Sequence, residues 1–390
     1  MLDFSTVIDR LGTDSFKWDV PNRMLGGDDF IQMGCADMDF LTPPEIKEAM
    51  VSIASTGLYG YTCKSDEFEQ GVASWMKERH GLKVSPATIL YAPRIVNITS
   101  LCVQAFSSPG DAVILNSPYY PPLNEITAAN GRTVLKPQLV EREGRYVMDF
   151  EDLERQLEHH CVRMMILVSP HNPTGRIWTR EELEQVAEFC VRHQIILFVD
   201  EIHSDFVAEG GKFTSMLALE GDITRYLIVT SAPSKTFNVM GCHMSWIAAP
   251  DAQIRSTVKN ALVRHGHTEP NIFGNTMMKI AYQKCGYYVD EVNRVIDAND
   301  AYLRKALPEV LPGVIVKPRE GTFLLWVDFN PVFGSEKETM DFFHDRVRAH
   351  FHPGSHFGPG FDNFGRINIG CPMSVLEDFI ERIRRARAQA

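Results

Sequence analysis

From about Thr88 to Pro250, short apolar runs alternate with amphipathic stretches. The runs Thr88–Tyr91, Ala112–Asn116, Arg163–Ser169, Ile195–Asp200, Tyr226–Ser231 and Ser245–Ala249 are strand candidates. Several are apolar almost throughout, as strands buried on both faces of a mostly parallel sheet must be. Thr179-Arg-Glu-Glu182 reads as a capping box, and it opens a helix over Glu181–His193 that leads back to the next strand. Strands and helices in alternation predict an α/β unit with helices on both faces of the sheet.

Beyond about Gly286 the period changes. A long charged helix is expected over Tyr287–Leu311, ended by Pro312-Gly313. Strands over Val314–Lys317 and Thr322–Asp328 follow, then a helix over Glu336–His350. A Gly/Pro-rich loop (His352–Gly360), a strand over Arg366–Gly370 and a helix opened by Ser374-Val-Leu-Glu377 complete the chain. That is an α+β pattern, and residues 1–45, poor in strong elements, are expected to pack on it. A length of 390 residues exceeds what one core usually supports. The predicted division is a large domain over 46–286 and a small domain built from 1–45 and 287–390.

Composition narrows the function classes. A net charge of −11 argues against a nucleic-acid backbone or an anionic membrane as partner. No apolar run approaches the ~20 residues that a membrane span requires. The start, Met-Leu-Asp-Phe-Ser-Thr, lacks the basic-then-apolar pattern of a signal peptide. The eight cysteines are scattered with no C-x-x-C pair, so reduced thiols are expected rather than disulfides or zinc ligands. These readings predict a cytoplasmic enzyme without a metal.

Three residues in order carry the chemistry. Asn172 lies in Pro-His-Asn-Pro-Thr-Gly, Asp200 closes an apolar run, and Lys235 sits in Ser-Lys-Thr-Phe-Asn just past another. Ligands of open α/β sheets bind beyond the carboxyl ends of the strands, so one crevice can hold all three. A lysine that forms a Schiff base with pyridoxal phosphate (PLP) needs a carboxylate against the pyridinium nitrogen, which Asp200 supplies. The Asn172 amide suits the ring phenol oxygen, although Asn-Pro-Thr-Gly is equally a good turn. Ser169-Pro170 and Asn172-Pro173 are candidates for cis bonds in such a tight pass. Glu201 reads as a structural partner of its neighbours.

The remaining cofactor contacts follow from position. The amides of Ile95 and Val96 open a helix over Ile95–Ser107 and would point at the phosphate. Ser231 and Ser234 flank the lysine and add hydroxyl donors. Tyr119 and Tyr120 follow the strand Ala112–Asn116, where a ring either stacks on the pyridine or fills the core. Arg366, in Gly-Arg-Ile-Asn-Ile-Gly, has the forked geometry that grips a carboxylate, unless it serves a surface ion pair. His203 and His243 are lone histidines near the site, and their residue type alone assigns them no role.

With these residues in place the chain resembles the fold-type-I PLP enzymes of the class I/II aminotransferase superfamily. Within them it is similar to the MalY/PatB cystathionine β-lyase (cysteine-S-conjugate β-lyase) group. The resemblance rests on Ala36-Asp-Met-Asp-Phe40, Gly60-Tyr-Thr62, Ser117-Pro-Tyr-Tyr-Pro121, His171-Asn-Pro-Thr-Gly175, Asp200-Glu-Ile-His-Ser-Asp205, Ala232-Pro-Ser-Lys-Thr-Phe-Asn238 and Arg366-Ile-Asn-Ile-Gly-Cys-Pro372. It implies a PLP-dependent transferase fold, with a mostly parallel seven-stranded sheet in the large domain and a smaller α+β domain. It implies Lys235, Asp200 and Tyr120 as the catalytic set, with Tyr120 stacked on the ring. Arg366, Ala36, Asn172 and Tyr119 would surround the substrate.

The resemblance also implies a homodimer, in which Tyr61 of one subunit reaches the cofactor phosphate of the other. His203 joins the cofactor contacts; aminotransferases commonly carry Tyr there, and the histidine favours elimination. The stretch after Asn238 departs from the group's usual Ala-Gly-Leu, reading Met240-Gly-Cys242 before His243. The implied activity is α,β-elimination of L-cystathionine or related L-cysteine S-conjugates to a thiol, pyruvate and ammonia. An aminotransferase, or a lyase with a second, regulatory protein-binding role, is the alternative.

Overall fold

The computed structural model describes residues 2–65 and 67–389. Its centre is a seven-stranded sheet: β1 (Ile89–Ala92), β2 (Ala112–Leu115), β3 (Thr133–Leu135), β4 (Val162–Val168), β5 (Ile196–Asp200), β6 (Leu227–Ser231) and β7 (Ser245–Ala248). The order across the sheet is β1-β7-β6-β5-β4-β2-β3. From β6 to β3 every pair is parallel, and β7 runs antiparallel to both β6 and β1. The six expected strands are all present to within two residues. The seventh, Thr133–Leu135, adds to those six; three residues beginning at an exposed Thr133 carry no periodic signal in the sequence.

The continuous apolar runs have a direct cause. Alternate side chains of one strand enter two different cores: Met165 and Leu167 of β4 join one, while Met164, Ile166 and Val168 join the other. Leu197 and Val199 of β5 likewise oppose Phe198. Both faces of the sheet are covered by helices, so neither position tolerates a polar residue.

Helix α1 (Ile95–Phe106) follows β1, and α2 (Arg180–His193) returns the chain from β4 to β5. The capping box of α2 is formed: Thr179 Oγ1 accepts from Glu182 N at 3.2 Å, and Glu182 Oε2 accepts from Thr179 N at 2.7 Å. Thr179→Ala is expected to cost about 1 kcal/mol, within the usual 0.5–2 kcal/mol for a lost cap. Urea unfolding of both forms measures it; an unchanged midpoint would show that Glu182 alone holds the first turn.

The C-terminal region carries α3 (Gly286–Val310) and a four-stranded antiparallel sheet of β8 (Ile315–Val316), β9 (Leu324–Asp328), β10 (His352–Pro353) and β11 (Phe364–Asn368), ordered β8-β9-β11-β10. It ends in α4 (Met373–Ala388). Two expectations are corrected here. The helix predicted over Glu336–His350 is α-helical only to Asp341, continues as a π-turn over Phe342–Val347, and is stopped by Arg348 at φ 59°. Ala349 and His350 then pair in parallel with Ile31 and Gln32. Tertiary pairing with the N-terminal segment thus overrides helical periodicity, and Arg348 secures it by stacking 3.8 Å from the Phe30 ring centroid and pairing with Asp29.

The last helix is not opened by Ser374. Pro372 occupies its N-cap and offers no side-chain acceptor, so Ser374 lies inside the first turn. Among the described residues no helix is long and apolar enough to cross a membrane.

Candidate active site

The parallel register builds the site. Val168, Asp200 and Thr230 lie side by side on β4, β5 and β6, so the segments leaving these strands emerge into one crevice. The bonds Ser117–Pro118, Ser169–Pro170 and Asn172–Pro173 are cis, the last two as the sequence suggested. A cavity at the carboxyl ends of the strands is lined by Asn172, Asp200, His203, Ser234 and Lys235. Ala36 and Tyr120 close it, and Ile95 and Val96 face it from the start of α1.

Lys235 lies on a short helix, Pro233–Thr236, and its Nζ donates to Ala36 O at 2.5 Å. Loss of hydration pulls the amine below its ordinary pKa. The helix is braced from behind, where Thr236 Oγ1 donates to Asp205 Oδ2 at 2.6 Å and His80 Nε2 meets Asp205 Oδ1 at 3.1 Å. Asp200 is buried, and among the described residues its carboxylate accepts one hydrogen bond, from Ile202 N to Oδ1 at 3.0 Å. Burial pushes its carboxyl up to about 7, against the pull of the Ile202 amide and Lys235.

Arg366 is 2% exposed and has no carboxylate partner among the described residues. Its Nη1 donates to Asn172 Oδ1 at 2.9 Å, and its Nη2 reaches Gly34 O at 2.6 Å and His352 Nδ1 at 3.1 Å. Its Nε has no partner among the described residues, and the guanidinium lies 4.8 Å from the Phe357 ring centroid. An unpaired buried guanidinium is costly and points to an anionic ligand. His203 is buried against Phe323, with ring centroids 5.6 Å apart, and its Nδ1 is also without a partner among the described residues. Burial, then Lys235 and Arg366, hold its pKa well below the ordinary imidazole value, so the ring is neutral. Glu201 is structural in its contacts, accepting from Ser215 Oγ and Met216 N, each at 2.8 Å.

Arg366 meets the cavity through Asn172 rather than lining it, and three further predicted residues stand elsewhere. Ser231 does not line the cavity; its hydroxyl donates to Glu201 O at 3.0 Å. Tyr119 is buried outside it, with Lys136 Nζ 5.2 Å from its ring centroid and its amide bonded to Phe357 O. The two tyrosines lie in the loop after the strand, past the cis Ser117–Pro118 bond, and only Tyr120, at the N-cap of the helix Pro121–Ala129, lines the cavity. Tyr61 is fully exposed, away from its own chain's cavity.

Sequence reasoning assigned no role to Arg94, Ile202 and His243, which also line the cavity. It did not single out His352, the imidazole on Arg366. Arg94 sits directly before the two amides that were read as an anion site, and that adjacency was a usable signal. His352 lies in a Gly/Pro-rich loop with no such cue.

This arrangement of sheet and site defines a class. The chain belongs to the family "Aminotransferase class I and II", whose pattern matches residues 28–383. It is 38% identical over 389 residues to cystathionine beta-lyase PatB of Bacillus subtilis (strain 168), covering 99% of this chain and 100% of that protein. It is 30% identical over 380 residues to protein MalY of Escherichia coli (strain K12), covering 97% and 96%. Cystalysin from Treponema denticola, whose crystal structure contains a pyridoxal 5'-phosphate cofactor, superposes with a TM-score of 0.94 at 30% identity, covering 100% of this chain and 99% of that one. A PLP-bound putative aminotransferase from Clostridium difficile 630 gives a TM-score of 0.95 at 30% identity, covering 99% and 100%. The fold is that of the PLP-dependent transferases.

Proposed function

We propose that the chain is a PLP-dependent carbon–sulfur β-lyase, acting on L-cystathionine or a related L-cysteine S-conjugate to give a thiol, pyruvate and ammonia. The observation that carries this reading is a cavity lined by Lys235, Asp200 and Asn172, with Arg366 held against its wall by the hydrogen bond to Asn172 Oδ1. They bring a desolvated amine and, among the described residues, a buried carboxylate with a single hydrogen bond and a buried guanidinium without a carboxylate. The kinship to cystathionine beta-lyase PatB supports the choice of substrate class.

The residues present fit pyridoxal phosphate. The helix start at Ile95 has no side-chain cap, which leaves its first amides free for a phosphate, and Ser234 and Arg94 add donors beside them. Asp200 suits the ring nitrogen, Asn172 the phenol oxygen and Tyr120 the ring face. When bound, the cofactor supplies an electron-accepting pyridine ring that stabilises negative charge at the substrate α-carbon.

This chain's own residues do the rest. Arg366 grips the α-carboxylate, with Asn172 and the Gly34 carbonyl fixing the orientation of its fork. Asp200 holds the proton on the ring nitrogen. Lys235 Nζ, unprotonated more readily because it is desolvated, takes the α-proton while the β-thiolate leaves. Neutral His203 keeps a further positive charge away from that amine.

We further propose a homodimer. Leu58, Tyr59 and Tyr61 form an exposed aromatic and aliphatic segment, and Tyr61 of each subunit would reach the phosphate of the other. Residues 46–286 would act as the large domain, with 1–45 and 287–390 as the small one, in a cytoplasmic enzyme.

Incubation of the yellow holoenzyme with L-cystathionine should release pyruvate and free thiol in equal amounts. Borohydride should fix the pyridoxyl group on Lys235 in a peptide map. Exchange of amino groups with a keto acid and no pyruvate would make the chain an aminotransferase instead. Label on another lysine would remove Lys235 from its role.

A further inference from the structure

One segment joins the two halves of the site. Gly34–Phe40 passes between Arg366 and Lys235, and its carbonyls take both: Gly34 O accepts from Arg366 Nη2 at 2.6 Å and Ala36 O from Lys235 Nζ at 2.5 Å. Two carboxamides hold what lies between and beyond. Asn368 Nδ2 donates to Cys35 O at 2.6 Å and to Asp37 O at 2.8 Å, while its Oδ1 accepts from Gly370 N at 2.8 Å. Asn238 Nδ2 donates to Met38 O and Phe40 O, each at 2.8 Å, and its Oδ1 accepts from Met38 N at 3.1 Å.

Their places in the chain matter. Asn368 stands two positions beyond Arg366 on β11 and therefore projects from the same face of the strand. Asn238 closes the turn that follows Lys235, at φ 57°, a left-handed conformation that Asn tolerates better than most residues. From behind, buried Lys17 Nζ bonds Asp37 O at 2.9 Å and Asp39 Oδ2 at 2.6 Å.

We propose that Asn238 and Asn368 are positioning residues that divide the work. Asn368 sets this segment against the carboxylate clamp, and Asn238 sets it against the lysine. Each position needs two N–H donors and one acceptor on a single short planar head, a set that Asn supplies and that Asp, with no donor, does not. An Asp of the same shape would face two carbonyl oxygens with negative charge.

The proposal rests on the lyase reading, and its test separates the two. Asn368→Asp is expected to weaken capture of the amino-acid carboxylate, with KM up about tenfold and kcat little changed. Asn238→Asp is expected to lower kcat about tenfold with KM little changed, and to shift the pH at which the lysine-bound cofactor changes colour. Asn238→Gly, which keeps the backbone angle, and Asn368→Ser repeat the comparison if the Asp variants fold poorly.

Affinity for the unreactive amino acid L-alanine, read from cofactor absorbance, checks Asn368 without any turnover. A wild type that releases no pyruvate would sink the lyase reading, yet leave the alanine and colour titrations to decide this one. Variants that shift KM and kcat together, or leave both titrations unmoved, would overturn the division of roles.

Discussion

Asp200→Asn is expected to retain part of its cofactor and to eliminate thiol at least about 100-fold more slowly, a loss on the scale of one proton-holding group. The substitution keeps the shape of the side chain and its hydrogen bond from Ile202 N, and removes only the charge. Without that charge the ring nitrogen loses its proton and withdraws electrons less strongly. A variant within a few-fold of wild type would show that Asp200 does not face the nitrogen.

The same substitution should stabilise the cofactor-stripped protein at high pH. Burial raises the Asp200 carboxyl from its ordinary 3.8 to about 7. The folded state therefore holds the proton more tightly than the unfolded chain. That contribution is full below about pH 4 and is lost as the pH climbs to about 7. Above it, the ionised side chain costs roughly 4 kcal/mol relative to a solvated one. Stripped Asp200→Asn should then unfold at higher urea than stripped wild type at pH 8, and the gap should narrow towards pH 5 and close near pH 4. Glu201 is raised to about 7 mainly by burial and in part by the Asp200 charge, so loss of that charge eases Glu201 as well and adds to the gap at high pH. A gap that does not change with pH would show that Asp200 is better solvated than its surroundings suggest.

Such a cost explains why Asp200 was legible in the sequence. A carboxylate at the end of an all-apolar run, Ile195-Ile-Leu-Phe-Val, makes no sense as core and calls for a partner of opposite charge. Lys235 and Arg366 were legible as ionisable groups beside apolar runs, although Lys235 sits on a short helix past β6 and Arg366 in the middle of β11. The six central strands were legible because burial on both faces forbids polar positions.

What was not legible depends on long-range pairing. Ala349 and His350 read as helix because the periodicity of Glu336–His350 cannot report a strand partner more than three hundred residues earlier, at Ile31 and Gln32. Ser231 read as a phosphate donor because adjacency along the chain does not show which way a hydroxyl turns, and here it turns to Glu201 O. His352 acquires its meaning only from Arg366, which β10–β11 pairing places opposite it.

Arg366→Lys is expected to lower kcat/KM by about 10- to 150-fold, the equivalent of roughly 1.5–3 kcal/mol for a lost charge-assisted hydrogen bond. Charge is conserved, so the effect measures geometry. The guanidinium spans three partners at once, Asn172 Oδ1, Gly34 O and His352 Nδ1. Among the described residues its Nε is left without one, so its planar head can hold these contacts and still donate to an anion. An ammonium on a flexible stem reaches one or two of these and leaves the others buried without donors. Cofactor retention should stay near normal, because Arg366 is assigned to substrate. A control substrate separates clamp loss from general damage. An S-substituted cysteamine has the amine and the thioether but no carboxylate, and its slow reaction should be changed little by Arg366→Lys. In the resulting cycle the coupling between the arginine and the carboxylate is the difference between the two losses. Equal losses for both substrates would mean that Arg366 supports the fold of the site rather than the substrate's carboxylate.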